Sequence, residues 1–388
     1  MMLTLGRAKC GGSGFFKSGV SILLLASLAG CSLWSSRSAK PVPADLGANV
    51  AVLGVRQAWV TRIGSVGGLP LDVHSAGNVV TLASEGGVVA AIDARTGGDL
   101  WRTALAEPLS AGVGSDGRFA AVVSRNNALI VLNAGREHWR QTLAAQVFTA
   151  PLIAGGRVFV LSADRSVSAY DADSGRKLWV QRRPGESLVL RQAGVLLAVG
   201  DTLVVGFSGR LVGLNPDNGN VRWEAPLASA RGTNDVERLV ELVGHTSRVG
   251  DSVCARSFQA AVGCVNATNG TVSWTQSANG ADGVHGDSDA LFGTESNGAI
   301  IAWRRSDGLK LWASDRLKYR KLTAPLLLGR SVVVGDDAGV VHLLSRADGA
   351  PLNRVATDGS GIAAAPAVAA DTLVVVTRNG GVYGFRPD

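Results

Sequence analysis

From residue 55 onward, apolar residues fall in short runs broken by Gly, Asp, Asn and Ser. Runs such as Arg157-Val158-Phe159-Val160 and Val167-Ser168-Ala169-Tyr170 alternate with the period of two that predicts half-buried β-strands. Between such runs lie segments like Asp171-Ala172-Asp173-Ser174-Gly175. There an Asp or Asn can cap its own backbone and Gly supplies a positive φ, so tight turns are predicted. The chain from residue 55 therefore reads as all-β.

The pattern repeats. Tryptophans stand at 59, 101, 139, 179, 223, 274 and 312, at intervals of 42, 38, 40, 44, 51 and 38 residues. Around them runs Asp/Asn-x-x-x-Gly-x-x-x-Trp, as in Asp93/Gly97/Trp101, Asp171/Gly175/Trp179, Asn215/Gly219/Trp223 and Asn266/Gly270/Trp274. Arg304 takes the Asp place before Gly308 and Trp312, Asn133-Ala134-Gly135 is a shortened copy, and Gly349 is followed by Asn353 where a Trp would stand. A four-stranded sheet of this size cannot bury both faces alone. Stacked radially it can, with only short, protected edges. Each Trp is then expected to lie flat between neighbouring sheets.

Counting sheets uses both ends of the chain. The last set of strands, ending in Gly381-Val382-Tyr383-Gly384-Phe385, stops at Asp388 before a fourth strand is reached. Arg56-Gln57-Ala58-Trp59-Val60 supplies that strand from the other terminus. The expectation is an eight-bladed β-propeller of four-stranded antiparallel blades over 55–388, its ring closed by the N-terminal strand.

The first residues follow another logic. Arg7, Lys9 and Lys17 precede the apolar run Val20–Leu28, and no acid appears before Asp45. This reads as an export signal, too short for a membrane span. Leu28-Ala29-Gly30-Cys31 resembles a bacterial lipobox, which implies lipidation of Cys31 after removal of residues 1–30. Ser32, where an Asp would signal inner-membrane retention, points to the outer membrane and its periplasmic face. Residues 31–54 show no clear periodicity and are expected to form a lipidated, flexible tether spanning roughly 25–30 Å as a coil.

Composition narrows the function. Removing the signal takes three positive charges from a net +7, leaving +4, and no Lys/Arg run exceeds two residues. That lacks the basic stripe nucleic-acid binding needs, and no nucleic-acid partner is expected. The five histidines show no metal-ligand spacing. The most site-like cluster, His285-Gly286-Asp287-Ser288-Asp289, falls on a turn between the first two strands of a blade and is read as a polar turn. Neither metal nor catalytic residue is assigned.

The repeat resembles the pyrroloquinoline-quinone-type repeat with its tryptophan-docking pattern. With the lipobox, eight repeats and this length, the chain is similar to the outer-membrane protein assembly factor B family across essentially the whole mature chain. The resemblance implies a non-catalytic scaffold lipoprotein of the β-barrel assembly machinery, without cofactor. Its implied partners are the central barrel subunit, the accessory lipoproteins and nascent outer-membrane proteins. The rival is a periplasmic quinoprotein dehydrogenase. That class resembles longer chains with a quinone stacked on a channel Trp, an Asp base, bound calcium and often adjacent cysteines. No Cys-Cys pair occurs here, and few residues remain outside the blades.

Repeat register, with Gly156, Gly200 and Gly250 aligned, puts Ser187–Arg191 in the link between the third and fourth blades. It puts Asn234–Val243 in the next link, so the two are expected to be neighbours. Asn234 with Glu237 resembles a capping box before Val236, Leu239 and Val240. Leu188 and Leu190 either face a partner or begin a buried strand. In the family, a Leu-x-Leu-Arg segment and an acidic segment at these places contact the barrel subunit. Leu188, Leu190, Arg191 and Glu241 match, with Glu237 and Arg238 beside them, while Val243 replaces a second acid. Cys10 leaves with the signal and Cys31 carries lipid, so Cys254 and Cys264 remain in an oxidising compartment. Register sets them on adjacent strands, where a disulfide is expected, the alternative being two buried thiols.

Overall fold

A computed structural model of the chain describes residues 41–183, 189–229 and 240–388. Cys31, Leu188, Glu237 and Arg238, with the expected cap at Asn234, lie outside them. Residues 43–388 make one unit of eight four-stranded antiparallel sheets. Blade 3 is typical, with strands Leu152–Ala154, Arg157–Leu161, Ser166–Asp171 and Lys177–Arg182 in order from the ring centre outward. Blades 1 to 7 occupy residues 74–104, 114–142, 152–182, 196–226, 242–277, 284–314 and 326–356. Blade 8 combines residues 367–387 with Val55–Arg62, and Val60 pairs with Tyr383. The N-terminal strand closes the ring.

The second and third strands of each blade are buried on both faces, not one. Phe119–Val123, Ser331–Gly335 and Thr372–Val376 contain no exposed position, because each blade is covered by a neighbour on either side. Only the outer strands alternate, as Asp99–Ala104 does. A period of two thus survives where water reaches one face and is lost where it reaches none.

The joint between blades is the repeat motif itself. The indole Nε1 of Trp59 donates to Ala94 O of the next blade at 2.9 Å. Trp139, Trp179, Trp223, Trp274 and Trp312 repeat this with Ala172, Pro216, Ala267, Arg305 and Arg346 at 2.7–2.9 Å. Each ring lies on the motif glycine of that next blade: a Cβ on Gly270 would sit 2.8 Å from Trp223 Cβ. Gly270 also has φ +76°, held by its N–H donating to Asn266 O at 2.8 Å. Trp101 faces the shortened turn and rests on Gly135, with no indole bond among the described residues.

The missing tryptophan of blade 7 has a geometric cause. A Trp at position 353 would dock on the third-to-fourth-strand turn of blade 8. That turn does not exist, because the third and fourth strands of blade 8, Gly381–Pro387 and Val55–Arg62, are not consecutive in the chain. Asn353 instead donates to Leu53 O at 2.6 Å and accepts from Asn49 Nδ2 at 2.8 Å. Residues 43–54, expected as the end of a flexible tether, therefore lie along blades 6 and 7. Val52 N donates to Leu352 O at 2.9 Å, Ala44 N to Lys318 O at 2.9 Å, and Arg354 holds Leu46 O at 2.7 Å. Leu53 packs with Phe385, Leu343 and Leu373 in the seam a Trp would have filled.

Cys254 and Cys264 face each other on the second and third strands of blade 5 and are joined by a disulfide. Thiol titration of the denatured, unreduced mature chain is expected to find neither reactive; two free thiols would exclude the bridge. Reduction is expected to lower stability by about 3 kcal/mol.

The Trp–Gly joint is tested by a pair of substitutions. Gly250→Ala, with φ +57° and open space around it, should cost only the left-handed strain of about 1–2 kcal/mol. Gly270→Ala adds a collision with Trp223 and should cost distinctly more; equal losses in urea unfolding would refute the joint.

Candidate partner-binding face

At one end of the ring each outer strand hands over to the inner strand of the next blade; the Gly–Trp turns lie at the other end. The links therefore share one face with the turns between second and third strands. On this face the first link, between blades 3 and 4, runs against the start of blade 5, and Glu241, the last residue of the second link, lines one pocket with its Leu190. Gly194 bridges Val243, and Gly244 N donates to Ala193 O at 2.7 Å. Gly194 N donates to Thr149 Oγ1 at 2.9 Å, bringing in the link between blades 2 and 3.

Leu190 is half-buried and lies outside any strand, since blade 4 starts at Leu196. Arg191 is exposed, its guanidinium carbon 6.0 Å from the Phe148 ring centroid. Leu190 lines a shallow pocket with Val189, Phe148 and Glu241. The second link ends earlier than expected: Leu242 and Val243 already belong to the inner strand of blade 5, and Val243 is buried. Apolar character at 243 is thus what the strand's packing requires.

Glu241 is not a free acid. It pairs with Arg165 at 2.8 Å, and both are largely buried. Burial pushes its carboxyl pKa up, more than Arg165 pulls it down. Arg165, absent from the expected site, also bonds Ser208 and sits at φ +61° on the second-to-third-strand turn of blade 3. Blades 1, 6, 7 and 8 carry Gly87, Gly298, Gly339 and Gly380 at that turn position, all with positive φ. An arginine where the repeat favours glycine was the legible signal of a tertiary role.

The ring centre gives the rival reading its test. A cavity of about 180 Å³ opens among the links. His245 Nε2 reaches from blade 5 to Asp72 Oδ1, before blade 1, at 2.7 Å, and Gln192 Nε2 reaches Ala281 O at 2.6 Å. Among the described residues, the cavity lining contains no Phe, Tyr or Trp. Every motif tryptophan is committed to a blade joint, and Trp303 is buried within blade 6 against Arg256. The residues present do not fit a stacked quinone. The cluster at His285 is a turn: Asp287 accepts from Asp289 N and Ala290 N at 3.0 Å and pairs with Arg346 at 2.6 Å. His285 Nδ1 accepts from Leu327 N at 3.0 Å.

Comparison with known proteins agrees with this geometry. The family profile described as "Outer membrane protein assembly factor BamB" matches residues 85–314. The chain is 39% identical to Outer membrane protein assembly factor BamB of Burkholderia pseudomallei, over 92% of this chain and 94% of that one. The crystal structure of BamB from Moraxella catarrhalis superposes with a TM-score of 0.79 at 25% identity, covering 86% and 99% of the two chains. Quinohemoprotein alcohol dehydrogenase from Comamonas testosteroni matches with a TM-score of 0.68 at 15% identity over 86% of this chain and 77% of its own, a likeness of fold alone.

The cross-channel pair makes a pH prediction. Burial opposes the charge of His245, and Asp72 outweighs it, so its pKa lies above 6.5; the carboxyl of Asp72, opposed by burial and favoured by His245, lies below 3.8. A raised histidine contributes fully below its unfolded pKa and loses that contribution as pH rises through the folded one. The thermal midpoint of the unmodified chain should therefore exceed that of His245→Ala by more at about pH 5.5 than at about pH 9. An equal gap at both would refute the strut.

Proposed function

Because the chain belongs to the BamB family of outer membrane protein assembly factors, we propose that it is a non-catalytic scaffold of the β-barrel assembly machinery whose link face around blade 4 binds the central barrel subunit. The observation that carries this is one surface shared by the link between blades 3 and 4 and the end of the next link, where half-buried Leu190 lines a pocket with Glu241 and its partner Arg165, next to exposed Arg191.

The chemistry suits a protein partner. Leu190 offers apolar area held in place by the bridge beneath it, and Arg191 adds a planar cation beside an aromatic ring. Glu241 acts mainly by fixing the second link against blade 3, since Arg165 already uses its charge. Leu188, Glu237 and Arg238 extend the same two links. Accessory lipoproteins and nascent outer-membrane proteins are further partners under this reading. A diacylated Cys31 holds the chain on the periplasmic face of the outer membrane. The dehydrogenase reading is disfavoured by a ring centre tied across by His245–Asp72 and lined without a stacking ring.

In a pull-down of the central barrel subunit, Leu190→Asp with Arg191→Glu should reduce recovery at least roughly tenfold, an effect of about 1.4 kcal/mol or more. The thermal midpoint should stay within about two degrees, because Arg191 is exposed and Leu190 lies in a link. Full recovery with the folded double variant would place the partner on another face. Dye reduction after addition of pyrroloquinoline quinone and calcium would instead support the enzyme.

A further inference from the structure

We propose that the link between blades 6 and 7, residues 315–321, is a docking surface for anionic phospholipid headgroups that turns the link face of the propeller toward the membrane. The proposal rests on the lipid-anchor reading above for where the chain meets the bilayer.

Asp315-Arg316-Leu317-Lys318-Tyr319-Arg320-Lys321 places four cations and an aromatic in seven residues. Arg320 is committed inward, to the buried Asp336 at 3.0 Å. Arg316 and Lys321 are exposed, and Lys318 stands 5.3 Å from the centroid of the Tyr319 ring. Tyr319 is itself 44% exposed, an aromatic with an apolar body and a polar tip beside ammonium groups. Arg378, on the turn between the second and third strands of blade 8, is exposed and lines the same ring opening as Lys321. Asp315 and Asp337 are the exposed acids in this stretch, and Asp337 caps Lys321 N at 3.3 Å.

The loop is rigid before any ligand arrives. Leu317 is buried, Lys318 N donates to Asp315 O at 2.9 Å, and Tyr319 N donates to Asn297 O at 2.6 Å. The N-terminal chain arrives at this same loop. Ala44 N donates to Lys318 O at 2.9 Å, and Ala44 O accepts from Arg320 at 3.0 Å. Eleven residues lie between Cys31 and Pro43. Even fully extended they reach about 40 Å. A lipid on Cys31 therefore keeps these cations close to headgroups, where weak charge attraction acts at high local concentration. A lipid chain together with basic residues is a two-signal arrangement, the first for attachment and the second for orientation.

The test is vesicle co-sedimentation of the mature-length chain carrying Cys31→Ala, using phosphatidylcholine with or without phosphatidylglycerol. Preference for anionic vesicles is expected, weakening as salt rises. Arg316→Glu, Lys318→Glu and Lys321→Glu together should reduce that partitioning at least roughly tenfold. Arg95→Glu, Arg136→Glu and Arg176→Glu, on the opposite end with the same change in net charge, should not. Equal binding to both vesicle types, no response to salt, or equal losses in the two triple variants would each overturn the proposal. Acylated chain that fails to bind neutral vesicles would sink the anchor reading instead, whatever the patch does.

Discussion

The docking of one blade's tryptophan on the next blade's glycine turn is the contact from which the rest of the molecule follows. Neither middle strand of a blade has a face for water, so a single blade would expose two apolar surfaces. Among the described residues, an indole covers the outer part of seven of the eight seams, and six of these rings satisfy their own N–H on the neighbour's backbone. Glycine is required on the other side because the ring occupies the space of a Cβ and the backbone there has positive φ. These two demands, repeated around the ring, set the spacing of the whole chain.

A closed ring made from an open chain must contain one seam unlike the others. Here it falls between blades 7 and 8, where strands from both termini pair. The turn that would receive a tryptophan is absent, because the third and fourth strands of blade 8 are not consecutive in the chain, and Asn353 with Leu53 takes over. The segment leading into the ring is consequently bound along blades 6 and 7 instead of trailing from blade 8. Its hydrogen bonds to Leu352 cover part of an outer edge that would otherwise present unpaired backbone.

The two ends of the ring carry different obligations. Gly–Trp turns are constrained by docking, whereas links only have to span from one blade's rim to the next blade's centre. Links can lengthen and vary without disturbing a seam, which explains why the longest repeat interval falls at the link after blade 4. The partner face, the cross-channel His245–Asp72 pair and the basic loop all lie at this end. Glu241, His245 and Arg320 are each paired with a residue of another link or turn, so the loops are shaped before any partner arrives.

Blade number, strand order, closure by the Trp59 strand and the facing of Cys254 with Cys264 were legible in the sequence alone. All follow from a period and from turn chemistry, which are local and repeated eight times. The placing of Leu190 beside Glu241 was legible for the same reason, as a consequence of register. Four features were decided only in three dimensions: the partner of Glu241, the apolar duty of Val243, the docking of residues 43–54 and the meeting of His245 with Asp72. Each joins residues far apart in the chain, at positions where the repeat is broken, and a pattern carries no information about its own exceptions. Closing the ring is what brings such positions within bonding distance.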